Sequence, residues 1–186
     1  MTFVSAGFEP PRRLATENFV LEPLGPEHNE GDYDAWTSSI EHIRSTPGFK
    51  DQRWPREMTV EENQSDLERH AADFEAREGF TFTVREPDGG AILGCVYIYP
   101  TNDGTSGAKV LSWVRGDRAN LDGPLRATVR EWLRRDWPFG ALTTRASPRP
   151  ARAGRHARPD RGVPDTRLPG NRPPSRSAPG HSAARA

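Results

Sequence analysis

The chain has little of several things, and each shortage excludes something. Its 186 residues hold a single cysteine, Cys95, so no internal disulfide can form and a disulfide-stapled secreted scaffold is ruled out. The longest apolar stretch, around Ala91 to Tyr99, is far too short to cross a bilayer. The first residues lack both a charged n-region and an apolar core, so no signal peptide is expected and a cytoplasmic location is. The five histidines, at 28, 42, 70, 156 and 181, show no metal-ligand spacing, so no metal is predicted. Lysine occurs only at positions 50 and 109. Aromatic residues are absent from the last 46 positions.

What is present divides into two unlike parts. The formal net charge is zero, from 26 basic and 26 acidic residues, yet the charges are segregated. Residues 141–186 carry ten arginines against Asp160 and Asp165, which leaves 16 basic and 24 acidic residues in the body. An acidic globule is thus joined to a basic tail. Ala, Arg, Pro, Gly and Ser make up 35 of those last 46 residues. Such a composition cannot bury enough apolar area to offset ordering entropy of roughly 1–2 kcal/mol per residue, so disorder is expected. Ten spread arginines without aromatics argue against a nucleic-acid module. The same composition is what a shifted reading frame of GC-rich coding sequence yields. Residues 1–15, with Pro10-Pro11 and Arg12-Arg13, read as a loose leader, which leaves 16–140 as the folded domain.

Within that domain the patterning is regular. Thr16 to Leu24 alternates and suits a strand. Tyr33, Trp36, Ile40 and Ile43 fall on one face of a helix over 30–46, stopped by Pro47-Gly48. Thr59-Val60-Glu61-Glu62 is a capping box, and Leu67, Ala71 and Phe74 follow on one face of a second helix. Phe80, Phe82 and Val84 alternate with Thr81, Thr83 and Arg85, predicting a strand with one wet face. After Pro87-Asp88-Gly89-Gly90, Ile92 to Tyr99 reads as a central strand and Lys109 to Arg115 as its neighbour across a loose loop. Leu121, Leu125, Val129, Trp132 and Leu133 mark a third helix, with Asp122 as its cap and Trp137-Pro138 at its end. Strand, helix, helix, three strands, helix implies an α/β domain with a mixed sheet flanked by helices.

That order, together with the segments PLGPEHNEGDYDAWTSSIEHIRSTPGF, GFTFTVREPDGGAILGCVYIYP and WVRGDRANLDGPLRATVREWLRRDWPF, resembles the GNAT N-acetyltransferases, in an actinobacterial branch. The resemblance covers about 120 residues, Phe19 to Phe139. It implies a mixed, mostly antiparallel sheet and acetyl transfer from acetyl-CoA to an amine. It also implies that the coenzyme's pyrophosphate is held where the strand ending at Val114 runs into the third helix. There Trp113, Val114, Arg115, Gly116, Arg118 and Leu121 become the coenzyme-binding candidates. A pattern V-x-x-x-x-[RQ]-x-x-G-x-[GA] anchored on Val114 meets Ala119, Asp122 and Pro124 at its three fingerprint positions. Asp122 brings a negative charge and Pro124 offers no N–H, which supports an alternative: a non-catalytic domain of this fold that binds a small molecule or a protein. The later strands and tyrosine of the family's C-terminal part have only Ala141 to Thr144 as a counterpart. The unfinished sheet would leave a bare edge able to pair with a second copy.

Attack on a thioester by an amine needs a proton acceptor nearby. Tyr97 and Tyr99, which share a strand face with Cys95, and Glu41 are the catalytic candidates. His42, Trp36 and Trp54 are the substrate-binding ones. Each has a plain structural reading beside the functional one: core tyrosines, a packed tryptophan, and a solvated helix face for Glu41 and His42.

Overall fold

The computed structural model describes residues 3–101 and 107–143. The tail expected to be disordered lies outside the described residues from position 144 onward. Two short strands open the chain, β1 (Leu14–Ala15) and β2 (Val20–Pro23). Three helices follow, α1 (Asn29–Thr37), α2 (Ile40–Ser45) and α3 (Val60–Glu75). Strands β3 (Phe80–Arg85), β4 (Ile92–Pro100) and β5 (Ala108–Val114) come next. A 3-10 turn over Gly116–Leu121 leads into α4 (Asp122–Asp136), and β6 (Leu142–Thr143) closes the described chain. The six strands form one sheet in sequence order, antiparallel throughout except for the parallel pair β5–β6.

Both faces of this sheet are covered. Phe80, Phe82, Val84, Val96, Ile98 and Val114 meet Leu125, Val129, Trp132 and Leu133 of α4 on one side. On the other, Cys95 and Trp113 meet Trp36, Ile43 and Leu67 of α1, α2 and α3. The wet face expected for β3 is therefore not wet: Thr81 and Thr83 are buried. Threonine alternating with phenylalanine mimics a half-solvated strand, but the hydroxyls here face helices rather than water. The Thr81 hydroxyl lies 3.1 Å from His70 Nδ1 of α3.

The helices follow most of their local signals. In α3 the Thr59 hydroxyl accepts the Glu62 N–H at 3.2 Å, and the Glu62 carboxylate accepts the Thr59 N–H at 2.9 Å. The single helix expected over 30–46 is instead two. Ser38 Oγ donates to the Asp34 carbonyl at 2.7 Å, and Ser39 leaves helical geometry at φ −131° and ψ 17°. Adjacent serines compete for backbone acceptors, which is why the apolar periodicity survives across a break in the helix.

The loose leader also fails to appear as such. Phe3, Val4, Phe8 and Leu14 pack into the core, Phe3 stacking on Phe139 at 4.7 Å between ring centroids and Phe8 lying 5.5 Å from Trp137. Arg77 fixes the segment by donating to the carbonyls of Ser5 and Ala6 at 3.2 and 2.9 Å. Apolar residues at 3, 4, 8 and 14 follow neither a helical nor a strand period, so no periodicity could reveal them.

Glycine is required at one place that bears on the site. A Cβ on Gly94 of β4 would run into the Trp113 carbonyl oxygen and come within 2.8 Å of Val114 Cα. The absent side chain lets β4 and β5 close up where Gly94 faces Val114, and the Arg115 N–H donates to the Leu93 carbonyl at 2.7 Å.

Candidate functional site

The pairing of β5 defines the site. β6 lies beside it only at Ala108 and Lys109, so from Val110 to Val114 this edge has no strand partner among the described residues. The open edge leads into the turn over Gly116–Leu121 and the first residues of α4. A strand edge with bare amides running into a helix N-terminus can hold an extended, anionic ligand.

The turn is tied to α2 and its flanks. The Gly116 N–H donates to Ser39 Oγ at 3.0 Å. His42 Nε2 lies 2.7 Å from Asp122 Oδ2, and Arg126 Nη1 stands 3.5 Å from Asp122 Oδ1. The expected N-cap role for Asp122 is not what the structure has. Asp122 is the first residue of α4, Leu121 precedes it as cap, and no side chain caps the helix. The carboxylate turns toward α2, where His42 offers it a hydrogen-bond partner. His42 is accordingly not on a solvated face. Nothing local in the sequence links it to a residue 80 positions away.

The other coenzyme-binding candidates divide. Arg115 donates to Asp34 at 2.8 Å and to Asp117 at 3.3 Å, and these bonds raise its pKa. Arg118 reaches Glu86 at 3.5 Å. Trp113 and Val114 are buried with their backbones at the open edge, and Leu121 is half-buried against the α4 side of the core. Outside the turn lies an open cleft of about 500 Å³, whose charged lining is Glu17, Glu86, Asp88 and Arg118.

On the helical face, four aromatic residues surround a fifth. Trp54, in the segment between α2 and α3, has ring centroids of Trp36 at 6.0 Å, Phe49 at 5.6 Å, Tyr97 at 6.4 Å and Trp113 at 5.8 Å. Arg44 holds the segment by donating to the Pro55 carbonyl at 2.8 Å, and the Tyr33 hydroxyl donates to the Met58 carbonyl at 2.9 Å. Trp36 is buried and its indole donates to Asn63 Oδ1 at 3.0 Å, so it is a packing residue with a satisfied N–H. Asn63 in turn donates to the buried Asp32 carboxylate at 3.2 Å.

The catalytic candidates are not brought together. Tyr97 accepts a hydrogen bond from the Trp113 indole at 3.2 Å. Burial pushes its hydroxyl well above the usual tyrosine range, and does the same to the Cys95 thiol beside it. Neither is an ionised base at neutral pH. Tyr99 faces the same way two residues on, yet belongs to another group: its hydroxyl donates to Asp73 Oδ2 at 3.0 Å and lies 2.8 Å from His70 Nδ1. Glu41 is exposed on α2. Sequence reading missed His70, Asp73 and Ser39; the i, i+3 spacing of His70 and Asp73 on α3 was the one available signal.

Three solved structures are similar to this chain in fold. A ribosomal-protein-serine acetyltransferase described for Vibrio cholerae superposes with a TM-score of 0.53 at 14% identity, over 68% of each chain. The ribosomal-protein-S5-alanine acetyltransferase of Vibrio fischeri gives 0.51 at 12%, over 66% of this chain and 67% of that one. RimL, the ribosomal L7/L12 α-N-protein acetyltransferase, in complex with coenzyme A gives 0.51 at 8%, over 67% and 69%. The fold is that of the GNAT acetyltransferases. No protein-family model and no curated protein sequence matches the chain. At these identities the likeness is one of fold. The edge of β5 and the turn before α4 are the segments to which the sequence resemblance assigned the coenzyme. No group of three or more His, Cys, Asp or Glu able to hold a metal occurs among the described residues. No described helix is long and apolar enough to cross a membrane.

Proposed function

We propose that the domain moves an acetyl group from acetyl-CoA to an amine. The observation that carries this reading is the edge of β5, unpaired beyond Lys109 among the described residues and continuous with the turn and the first residues of α4. Backbone from Trp113 to Gly116 would line the acyl donor, with Arg115, Arg118 and the start of α4 toward its phosphates. The amine nitrogen attacks the thioester carbonyl, the C–N bond forms, the C–S bond breaks, and the thiolate takes up a proton. Tyr97, held neutral by burial, is no proton acceptor at neutral pH. Trp54, half-buried over Tyr97 and Trp113, would form a wall for the acceptor. Since the fold neighbours are named as ribosomal-protein-serine, ribosomal-protein-S5-alanine and α-N-protein acetyltransferases, short peptides with serine or alanine first are the acceptors to try first.

A second reading is a domain of this fold that binds a ligand without turnover. It is favoured by a specific observation: the Gly116 N–H is already engaged by Ser39, and Asp122 places a carboxylate at the first position of α4. Thiol release from acetyl-CoA, followed with a thiol reagent in the presence of Ser- and Ala-initiated peptides, separates the two. Acceptor-dependent release supports transfer. Acetyl-CoA binding without release supports the second reading.

A further inference from the structure

A guanidinium drawn part-way out of water needs an anion beside it, or acceptors for its N–H groups. Among the described residues the half-buried arginines are Arg44, Arg77, Arg85, Arg115 and Arg126. Four of them meet a carboxylate: Arg77 with Glu9 at 3.4 Å, Arg85 with Glu22 at 2.7 Å, Arg115 with Asp34 at 2.8 Å and Arg126 with Asp122 at 3.5 Å. Arg44 of α2 meets none among the described residues. Its Nη2 donates to the Pro55 carbonyl at 2.8 Å, and its Nε is buried without an acceptor among them. A neutral carbonyl uses one of the five N–H groups and leaves the charge unmatched.

The place of Arg44 matters as much as its missing anion. The carbonyl it holds belongs to the residue after Trp54, whose ring stands 6.4 Å from that of Tyr97 and 5.8 Å from that of Trp113. The unmatched cation is therefore anchored one residue from the aromatic wall. Two exposed arginines flank the same Trp54-Pro55 step. Arg53 stands 3.9 Å from Asp51, and Arg56 donates to the neighbouring Glu57 carbonyl at 3.1 Å. Residues 44–57 carry Arg44, Lys50, Arg53 and Arg56 against Asp51 and Glu57. In a body whose acidic residues outnumber its basic ones, this segment has the opposite sign. A basic rim beside an aromatic wall attracts an anion, and the planar fork of an arginine suits a carboxylate.

We propose that the acceptor carries carboxylates close to its reactive amine, as an acidic peptide N-terminus does, and that Arg44 is the residue that selects it. Arg53 and Arg56 add attraction at the rim. This rests on the reading of the domain as an acetyltransferase. The carboxylate lies outside the reacting atoms, so Arg44 acts on which acceptor binds and not on the transfer step. The acidic remainder of the body disfavours the same peptide elsewhere on the surface.

The test uses the full chain and acetyl-CoA, with thiol release from peptides that begin Ser-Asp-Glu, Ser-Gly-Gly or Ser-Lys-Lys and are otherwise identical. The acidic peptide is expected to exceed the neutral one by about tenfold or more in kcat/KM, with the difference in KM, and the basic peptide to fall below both. The preference should shrink as salt rises from about 50 to 500 mM. Arg44→Gln is expected to bring the acidic-to-neutral ratio down to about twofold. Arg56→Glu, at an exposed position, is expected to lower it about threefold and to favour the basic peptide. A wild type that turns over all the peptides alike overturns the proposal and leaves the acetyltransferase reading standing. So does a ratio that survives Arg44→Gln, as a preference drawn from the arginines of residues 141–186 would, or one unmoved by Arg56→Glu should Arg44→Gln not fold. A wild type that releases no thiol with any peptide overturns both.

Discussion

At the scale of single residues, the group that most reveals its surroundings is Asp32. It is only 5% exposed, on α1, with Asn63 donating to it. Burial raises its pKa from 3.8 to about 6, against the opposing hydrogen bond from Asn63 and the charge of His28; Asp66 adds to the rise. A raised carboxyl pKa means the folded state holds the proton more tightly than the unfolded chain. As pH climbs from about 4 to 6 the unfolded state gives up this proton first, so stability falls across that window and stays lower above it. Asp32→Asn removes the titration and keeps an oxygen for Asn63. The variant should match the wild type near pH 4 and exceed it by about 2–3 kcal/mol at pH 8, read from urea unfolding at both pH values. No gain at pH 8 would mean that Asp32 is solvated. Residue identity alone could not have predicted this. Asp32 sits in an acidic, polar stretch of sequence, and only the crossing of α1 by α3 removes its water. Tyr97 and Tyr99 teach the same lesson. Their shared strand face is legible from a period of two, but their separate roles come from Trp113 in one case and Asp73 with His70 in the other.

At the scale of elements, the strand and helix order was readable because apolar spacing reports local geometry. The Thr59–Glu62 capping box and the end of α4 at Trp137-Pro138 stand where composition put them. What periodicity could not report was what covers a face. Thr81 and Thr83 looked solvent-facing, and α3 buries them. Nor could it report the break at Ser38-Ser39, where side-chain bonds to the backbone override an unbroken apolar stripe. That break is useful: it frees Ser39 Oγ to accept from Gly116 and so ties α2 to the turn before α4. The junction of β4 and β5 at Gly94 is the element contact on which the site depends. Gly94→Ala would drive a methyl into the Trp113 carbonyl and separate the strands where the turn begins. A loss of about 1–3 kcal/mol in stability is expected from chemical denaturation, with weaker acetyl-CoA binding even at temperatures where the variant is folded. An unchanged midpoint would show that the two strands can move apart at little cost.

At the scale of the whole molecule, a GNAT fold was legible from the sequence through element order and wording, although sequence identity to the solved structures falls to 8–14%. Element order survives such divergence because the sheet needs only apolar alternation and short connections. The site is less legible because it is assembled across long separations: Ser39 with Gly116, His42 with Asp122, His70 with Tyr99. The three departures from the coenzyme fingerprint, Ala119, Asp122 and Pro124, acquire a partial account. The Asp122 carboxylate is hydrogen-bonded to His42 and lies 3.5 Å from Arg126, so it has partners within the protein.

Whether this turn and the edge of β5 bind acetyl-CoA is read from thermal unfolding of the full chain with and without acetyl-CoA. A ligand present at 100 times its dissociation constant and bound only by the native state adds about 2.7 kcal/mol. For a domain of this size the midpoint should then rise by several degrees, roughly 3–8 °C. That rise is expected, and a smaller one with acetylpantetheine, which lacks the pyrophosphate. A cooperative transition at an unchanged midpoint would contradict it.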